Sequence, residues 1–556
     1  MRVLGVNALF HDPSAALVVD GTIVAAAEEE RFSRRKHGKR PVPFSAWELP
    51  VQAMRWCLEE AGLRPQDLDA VGYSFDPALA KPAPDMGLSD PWDHLRIMYA
   101  EKAPGFLATA LPGLGREQVR FVPHHVAHAA SAGLAAPVRE KGRPTSVLVL
   151  DGRGECTSHL AGRYEDGRLE TFAGQTLPHS LGLLYESLTE HLGFLRSSDE
   201  FKVMALASYG TPRHLDQLRE MIHATGDGGF VAPVPDWSQW ARPRGTDERE
   251  WAPEHADLAA SVQQCLEEVL VALACWLHER TGDRTLAMAG GTALNCVANS
   301  RIWRETPFED VWVQPAAGDA GTSLGAALQL CADGGEPAEP FTTAALGRAW
   351  SDDELAAWLR RANVPFTTPD DIADEAAAVL ADDGVIGWFD GRSEFGPRAL
   401  GQRSLMAHPG RSENLERLND VKGREQFRPV APMVLTDRAP QIFTDGPMPS
   451  PYMLFVHTVR SEWRERIPAV VHVDGTARIQ TIDDDNAPHV AALLRAFERR
   501  TGLPVVVNTS LNTAGRPMVD DPRDALELFG SAPVDALVLG PHLVHRGDMF
   551  RPRTAG

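Results

Sequence analysis

The stretch Arg2-Val3-Leu4-Gly5-Val6-Asn7 is apolar and β-like, and it runs into a polar loop carrying His11 and Asp12. Ala15–Val19 and Thr22–Ala27 then read as a hairpin across Asp20-Gly21, a strong short-range hairpin signal. The same grammar recurs further on. Ser146-Val147-Leu148-Val149-Leu150 is a strand, Asp151-Gly152-Arg153-Gly154 a glycine-rich loop, and His159–Tyr164 with Arg168–Phe172 a hairpin across Asp166-Gly167. Two copies of strand, polar loop and hairpin predict a duplicated α/β domain whose two loops face each other across a cleft. Each element alone is common, so a chance match stays open.

Downstream the pattern remains α/β. A helix is expected over about His255–Glu279, then a strand Thr285–Ala289 that turns at Gly290-Gly291 into a helix containing Asn295. A further strand, Val311–Gln314, leads through Gly318-Asp319-Ala320-Gly321 into a small-residue helix Thr322–Leu330. Between Cys331 and Trp350 the composition shifts to Gly, Pro, Ala and Thr, which marks a linker. Beyond it, strands at Val385–Phe389 and Pro504–Val507 predict a second α/β domain. With 556 residues, two domains are the natural division.

The totals narrow the function classes. The composition is that of a globular enzyme, 43% hydrophobic and 24% charged, and the formal net charge of -21 disfavours nucleic acid as a partner. Met1-Arg2 runs into Val3–Val6 without a cleavage-type region, so no signal peptide is expected, and no run approaches the roughly 20 apolar residues of a membrane span. The six cysteines are scattered without a CxxC pair, which predicts reduced thiols and a cytoplasmic protein without membrane contact.

Several residues have the chemistry of a site. His124 and His128, at i and i+4, share one face of a helix, a metal-chelating spacing, with Asp151 and Asp319 at loop positions as further ligands. Two histidines with carboxylates suit iron(II), manganese or zinc better than magnesium. Taken alone, the HxxxH pair reads equally as core histidines, and His125 between them is an alternative functional residue. Asp151-Gly152-Arg153-Gly154 and Gly290-Gly291 follow strands and form either phosphate cradles or plain tight turns. His11-Asp12 is placed to handle a proton or simply forms a turn before Pro13. In the second half Arg398, Lys422, Arg424, Arg428 and Arg478 are either an anion site or surface ion pairs, with Asn508 and Ser510 in Val507-Asn508-Thr509-Ser510-Leu511-Asn512 after a buried strand.

These stretches, in this order, resemble the O-carbamoyltransferases that modify antibiotics and nodulation factors. The resemblance is carried by His11-Asp12-Pro13-Ser14-Ala15-Ala16, Glu28-Glu29-Glu30-Arg31-Phe32-Ser33-Arg34 with Lys36-His37, and His124-x-x-x-His128. It continues through Asp151-Gly152-Arg153-Gly154-Glu155, Lys202-Val203-Met204-Ala205-Leu206-Ala207 and Gly290-Gly291-Thr292-Ala293-Leu294-Asn295. In the second half it rests on Phe395-Gly396-Pro397-Arg398-Ala399-Leu400-Gly401, Lys422-x-x-Glu425-x-Phe427-Arg428-Pro429 and Asn508-Thr509-Ser510. The departures are Leu511, where an aromatic residue is expected, and Ala205, where glycine is expected.

The resemblance implies a duplicated actin/Hsp70-like (Kae1-like) N-terminal domain over residues 1–345 and a YrdC-like α/β C-terminal domain over residues 360–550. It implies that His124, His128, Asp151 and Asp319 hold iron(II) or another divalent metal, and that Gly152, Gly154, Lys202, Gly290, Gly291 and Asn295 line ATP, which enters with magnesium. Arg398, Lys422, Arg428, Arg478, Asn508 and Ser510 would bind carbamoyl phosphate, with His11 the general base beside Asp12. The implied activity makes carbamoyl adenylate and transfers the carbamoyl group to a hydroxyl of a small natural product, a sugar or macrocycle in antibiotic tailoring. The oligomeric state is open, a homodimer included. Two rival readings are an actin-fold sugar or acetate kinase and a threonylcarbamoyl enzyme acting on tRNA.

Overall fold

The computed structural model describes residues 1–38, 48–90, 92–137, 142–248 and 250–549. The chain divides into two compact units, Met1–Thr342 and Thr343–Gly556. The C-terminal limit of 550 expected for the second domain lies outside the described residues.

The first unit contains the repeat. Strands β1 (Arg2–Asn7), β2 (Ser14–Val19), β3 (Thr22–Glu28), β4 (Ala70–Tyr73) and β5 (Val119–Phe121) form a sheet in the order β3-β2-β1-β4-β5. Strands β6 (Thr145–Leu150), β7 (Thr157–Glu165), β8 (Arg168–Thr176), β9 (Thr285–Ala289) and β10 (Asp310–Val313) form the order β8-β7-β6-β9-β10. In both sheets the first three strands pair antiparallel, and the last two add in parallel. The order and the directions coincide strand for strand. The unit is a duplicated actin-type α/β domain, as the two Asp-Gly hairpins predict.

A helix over Ala320–Asp333, longer at both ends than the expected Thr322–Leu330, packs against β1, β2, β4 and the helix His124–Gly133. It is buried throughout Ala320–Cys331. Small residues are what permit this. Gly5 and Gly72 are register partners on β1 and β4, and a Cβ on Gly5 would stand 1.7 Å from the Ser323 carbonyl oxygen. On the other side a Cβ on Gly325 would stand 1.7 Å from the Ala127 carbonyl oxygen. Alanine in a helix normally stabilises by up to about 1 kcal/mol relative to glycine. Gly325→Ala should nevertheless destabilise, by about 1–3 kcal/mol, because the two helices must separate. Calorimetry should show a lower melting midpoint; an unchanged or raised one would contradict this packing.

The helix Pro253–Thr281 is long and apolar enough to cross a membrane by length and composition, with mean hydropathy 1.4 over its most apolar window. No such window is expected from a simple count of apolar residues. In the fold 67% of that window is buried, which accounts for its composition as core. All six cysteines are free thiols.

The second unit is built on a seven-stranded mixed sheet. Its strands are β11 (Ile386–Phe389), β12 (Arg403–Ala407), β13 (Ala431–Leu435), β14 (Gln480–Ile482), β15 (Val505–Ser510), β16 (Ala536–Leu539) and β17 (His542–His545), ordered β14-β13-β15-β12-β11-β16-β17. This is the α/β domain that the resemblance equates with YrdC. Its core is one large cluster that includes Trp388, Phe389, Phe497 and Phe529. The strand expected to end at Val507 runs on to Ser510, so Asn508 and Ser510 are strand residues, held in register opposite Met406 and Ser404 of β12.

Candidate active site and metal centre

The helix His124–Gly133 follows β5 and starts directly at His124, with Pro123 preceding its first turn. Its periodicity brings His124 and His128 to one buried face. Asp151 follows β6, and Asp319 follows β10 at the N-terminus of the helix Ala320–Asp333. The two aspartates and two histidines converge. His124 Nε2 lies 3.4 Å from Asp151 Oδ2 and 3.7 Å from Asp319 Oδ1; His128 Nε2 lies 3.9 and 3.5 Å from the same oxygens.

Burial alone would raise the pKa of the Asp151 carboxyl, but the surrounding histidines hold it well below the usual carboxylate range. Asp319 is likewise lowered, although burial and the charge of Asp151 oppose this. Burial opposes charge on His124, and the two carboxylates overturn that and raise it well above the ordinary imidazole value. His125 goes the other way, lowered chiefly by burial.

The donors fit a metal ion. Nε2 of His124 and Nε2 of His128 are buried without a hydrogen-bond partner among the described residues, and both are directed at two carboxylates. A tetrahedron with bonds of about 2.1 Å has edges of about 3.4 Å, close to the distances found. The remaining contacts fix the ligands. His124 Nδ1 meets the Ser74 carbonyl at 3.2 Å, which leaves Nε2 as the nitrogen directed at the carboxylates. Asp151 Oδ1 accepts the Gly291 N–H at 3.0 Å. Ser74 Oγ bonds Asn7 Oδ1 and accepts from Thr322 Oγ1, and Asn7 Nδ2 donates to the His11 and Asp12 carbonyls. The first loop is thereby tied to the quartet of His124, His128, Asp151 and Asp319.

In that loop Asp12 Oδ2 lies 2.8 Å from His11 Nδ1, and its Oδ1 lies 2.7 Å from Nδ1 of His37. Burial would raise Asp12, and the two imidazoles hold it well below the usual range. His11 Nε2 faces the Ser197 carbonyl. Both nitrogens of His11 therefore face acceptors.

The glycines expected to cradle phosphate are mostly engaged in the fold. Gly290 (φ 93) donates to the Ala317 carbonyl, Gly291 to Asp151, and Gly154 to the Thr157 carbonyl. Asn295 caps the helix Cys296–Glu305 through Ala298 N–H and pairs with Gln263. The Gly152 carbonyl accepts from Ser180 Oγ, and Lys202 pairs with Asp199 at 3.0 Å. The turns hold the aspartates more directly than they offer free amides.

The second unit gathers its own set. Lys422, the last residue of the helix Glu413–Lys422, is buried, and its Nζ contacts the Ser510 carbonyl (2.5 Å), Ser510 Oγ (2.9 Å), Asn512 Oδ1 (2.6 Å) and the Asn512 carbonyl (3.1 Å). Asn508 donates to the Ala399 carbonyl, next to Arg398, and to Gln480, two residues from Arg478. Arg424 is pushed down to about 9 by burial and by the positive charges of Arg428 and Arg478. Three guanidiniums this close call for an anion. Glu394, which the sequence reading leaves unassigned, shapes the Arg398 loop by accepting the N–H groups of Leu400, Gln402 and Arg403.

Both units match family models. The model described as Carbamoyltransferase N-terminus matches residues 2–78, 98–233 and 238–328, and Carbamoyltransferase C-terminus matches residues 377–546. The chain belongs to the carbamoyltransferase family. An uncharacterised protein of Synechocystis sp. is 35% identical over 97% of this chain and 95% of its own length. Nodulation protein NolNO of Sinorhizobium fredii is 36% identical over 97% and 80%, and nodulation protein U of Bradyrhizobium diazoefficiens is 33% identical over 95% of each. Among solved structures, the activator of the 2-hydroxyisocaproyl-CoA dehydratase from Clostridium difficile, with bound ADPNP, is 14% identical over 60% of this chain and 96% of its own, with a TM-score of 0.30.

This carbamoyltransferase contains site residues that motif reading passes over. Ser74 and Thr322 carry no motif signal, because their role is a hydrogen bond to a residue distant in sequence. Glu155, within the quoted Asp151–Glu155 run, accepts the N–H groups of His124 and Asp76 and so anchors the ligand helix to β4's exit. His37 lies in a quoted motif, but only its contact with Asp12 shows what it does.

Proposed function

We propose that this carbamoyltransferase is an ATP-dependent, two-site O-carbamoyltransferase, with residues 1–345 binding ATP and metal and residues 360–550 binding carbamoyl phosphate. Lys422, Arg398, Arg428 and Arg478, with Asn508 and Ser510, bind carbamoyl phosphate and stabilise the departing phosphate as water hydrolyses the carbamoyl phosphate to carbamate. Carbamate attacks the α-phosphate of ATP, entering as its magnesium complex, to give carbamoyl adenylate and pyrophosphate. A hydroxyl of a small sugar or macrocycle then attacks the carbamoyl carbon, and AMP leaves. His124, His128, Asp151 and Asp319 would hold iron(II) or another divalent ion, whose chemistry is to neutralise phosphate charge. Lys202 and the turns at Gly152, Gly154, Gly290, Gly291 and Asn295 border the nucleotide. The histidines on Asp12 manage the hydroxyl proton.

The observation that carries this reading is the presence of two chemically opposite clusters, one in each unit. A buried quartet of two carboxylates and two imidazoles suits a cation, and a lysine with several arginines suits an anion. A sugar kinase would need the first cluster alone. A tRNA-modifying enzyme is disfavoured by the charge of -21.

Radiolabelled pyrophosphate should exchange into ATP only when carbamoyl phosphate is present, and full turnover should release AMP. Release of ADP would reject the adenylate in favour of a kinase.

A further inference from the structure

The match to the Carbamoyltransferase N-terminus model stops at residue 78, resumes at 98, and breaks again between 233 and 238. The side chains of the two intervening stretches are therefore this chain's own and not part of the matched pattern. The fold brings both stretches to the loop that carries Asp151.

The first stretch reaches that loop through charge. Asp93, which opens the helix Asp93–Ala110, is buried, and its Oδ1 accepts from Arg96 at 2.6 Å and from Arg153 at 2.8 Å. Asp90 Oδ2 accepts from Arg96 at 3.0 Å. Arg153 lies two residues beyond Asp151. Its guanidinium and that of Arg96 stand 5.2 and 5.1 Å from the ring centroid of Phe10, and the Phe10 ring lies 5.5 Å from that of His124. A buried carboxylate shared by two guanidiniums is a charge-assisted, directional clamp. The second stretch comes to the same loop through Pro178–Ser180. Ala232 N–H donates to His179 Nδ1 at 3.3 Å, and Ser180 Oγ donates to the Gly152 carbonyl at 2.7 Å. A Cβ on Gly87 would stand 3.2 Å from Pro178 Cγ, so the first stretch packs on this support as well.

Both stretches keep large apolar side chains at the surface. Leu79, Trp92 and Val234 are each about half exposed. Exposed apolar residues are common singly; what sets Trp92 apart is its mount. Its N–H donates to Asp90 Oδ1 at 3.1 Å, and its chain neighbour is Asp93, so the clamp fixes the backbone that presents the indole. An accessible indole on a fixed backbone offers a flat apolar face at little entropic cost.

We propose that residues 79–90 and 92–97, with 234–237, form the acceptor-recognition wall of this carbamoyltransferase, and that Trp92 packs against an apolar ring of the hydroxyl-bearing acceptor. This rests on the adenylate reading above and adds a preference to it: an alcohol with an apolar ring near its hydroxyl is used better than a bare polyol. Asp93, Arg96 and Arg153 are positioning residues for the wall.

The test uses the full chain with metal, ATP, carbamoyl phosphate and either benzyl alcohol or glycerol as the hydroxyl donor. In the wild type, kcat/KM for AMP release should be about tenfold higher with benzyl alcohol than with glycerol, and in Trp92→Ala that ratio should fall to about one. A wild type that prefers neither alcohol, or that uses neither while pyrophosphate exchange proceeds, would overturn the proposal. So would a Trp92→Ala variant that keeps the preference. In a second arm the chain is labelled with 5-fluorotryptophan, and the Trp92 resonance is assigned by its loss in Trp92→Phe. Added benzyl alcohol should move it saturably and further than any other tryptophan resonance; a stationary Trp92 resonance would overturn the wall. Absence of pyrophosphate exchange in the wild type would sink the adenylate reading instead, and the fluorine shift would still decide whether Trp92 meets the ring.

Discussion

Asp151→Asn should leave the carbamoyltransferase folded and strip it of metal. The substitution keeps the shape of the side chain, and the amide oxygen can still accept the Gly291 N–H that Asp151 Oδ1 accepts at 3.0 Å. What it removes is one of the two negative charges that, among the described residues, face the imidazoles of His124 and His128. A site of two neutral imidazoles, an amide and a single carboxylate binds a divalent ion far more weakly, since carboxylate charge supplies much of the affinity. Elemental analysis after desalting should find the ion lost, and carbamoyl-phosphate-dependent pyrophosphate exchange should fall at least about a hundredfold. The two losses should be proportional across a metal titration. Full exchange activity in a metal-free preparation would remove the quartet from the mechanism.

Lys422→Ala should have the opposite profile. Its ammonium sits among four oxygens of Ser510 and Asn512, and it is the cation that joins the helix Glu413–Lys422 to the end of β15. Removing it takes away a charge-assisted contact worth about 3 kcal/mol to a bound phosphate, about a hundredfold in kcat/KM for carbamoyl phosphate. Arg428→Ala should act in the same direction, because it relieves the crowding of Arg424, Arg428 and Arg478 that an anion otherwise offsets. Both variants should still transfer from synthetic carbamoyl adenylate, and metal content should not change. Equal loss with either donor would show that the two clusters do not divide the chemistry.

Much of the architecture was legible because the signals are local. A two-residue Asp-Gly turn between alternating strands specifies a hairpin wherever it stands, and its recurrence exposed the duplication that the two identical strand orders express. The pairing of His124 with His128 was legible for the same reason, since one helical turn is a local distance. The gathering of Asp151 and Asp319 was suggested only by their position after strands. Where the reading went astray, longer-range bonds decided. Gly290-Gly291 could be read from sequence as a cradle or as a tight turn, and its amides donate to Ala317 and Asp151. Asn508 and Ser510 looked like loop residues, yet pairing with β12 extends the strand through them.

By itself the sequence determined the fold class, the two-part division and the set of chemically capable residues, because turn chemistry, periodicity and composition act over a few neighbours. Only the tertiary structure decided which of those residues keep an open lone pair or an unmet charge. His11 and His37 are alike as residues, and they differ because the Ser197 carbonyl reaches Nε2 of one ring, while Nε2 of the other has no hydrogen-bond partner among the described residues. A proton's place is set by acceptors brought from distant parts of the chain, and burial excludes the water that would otherwise make the two rings equivalent.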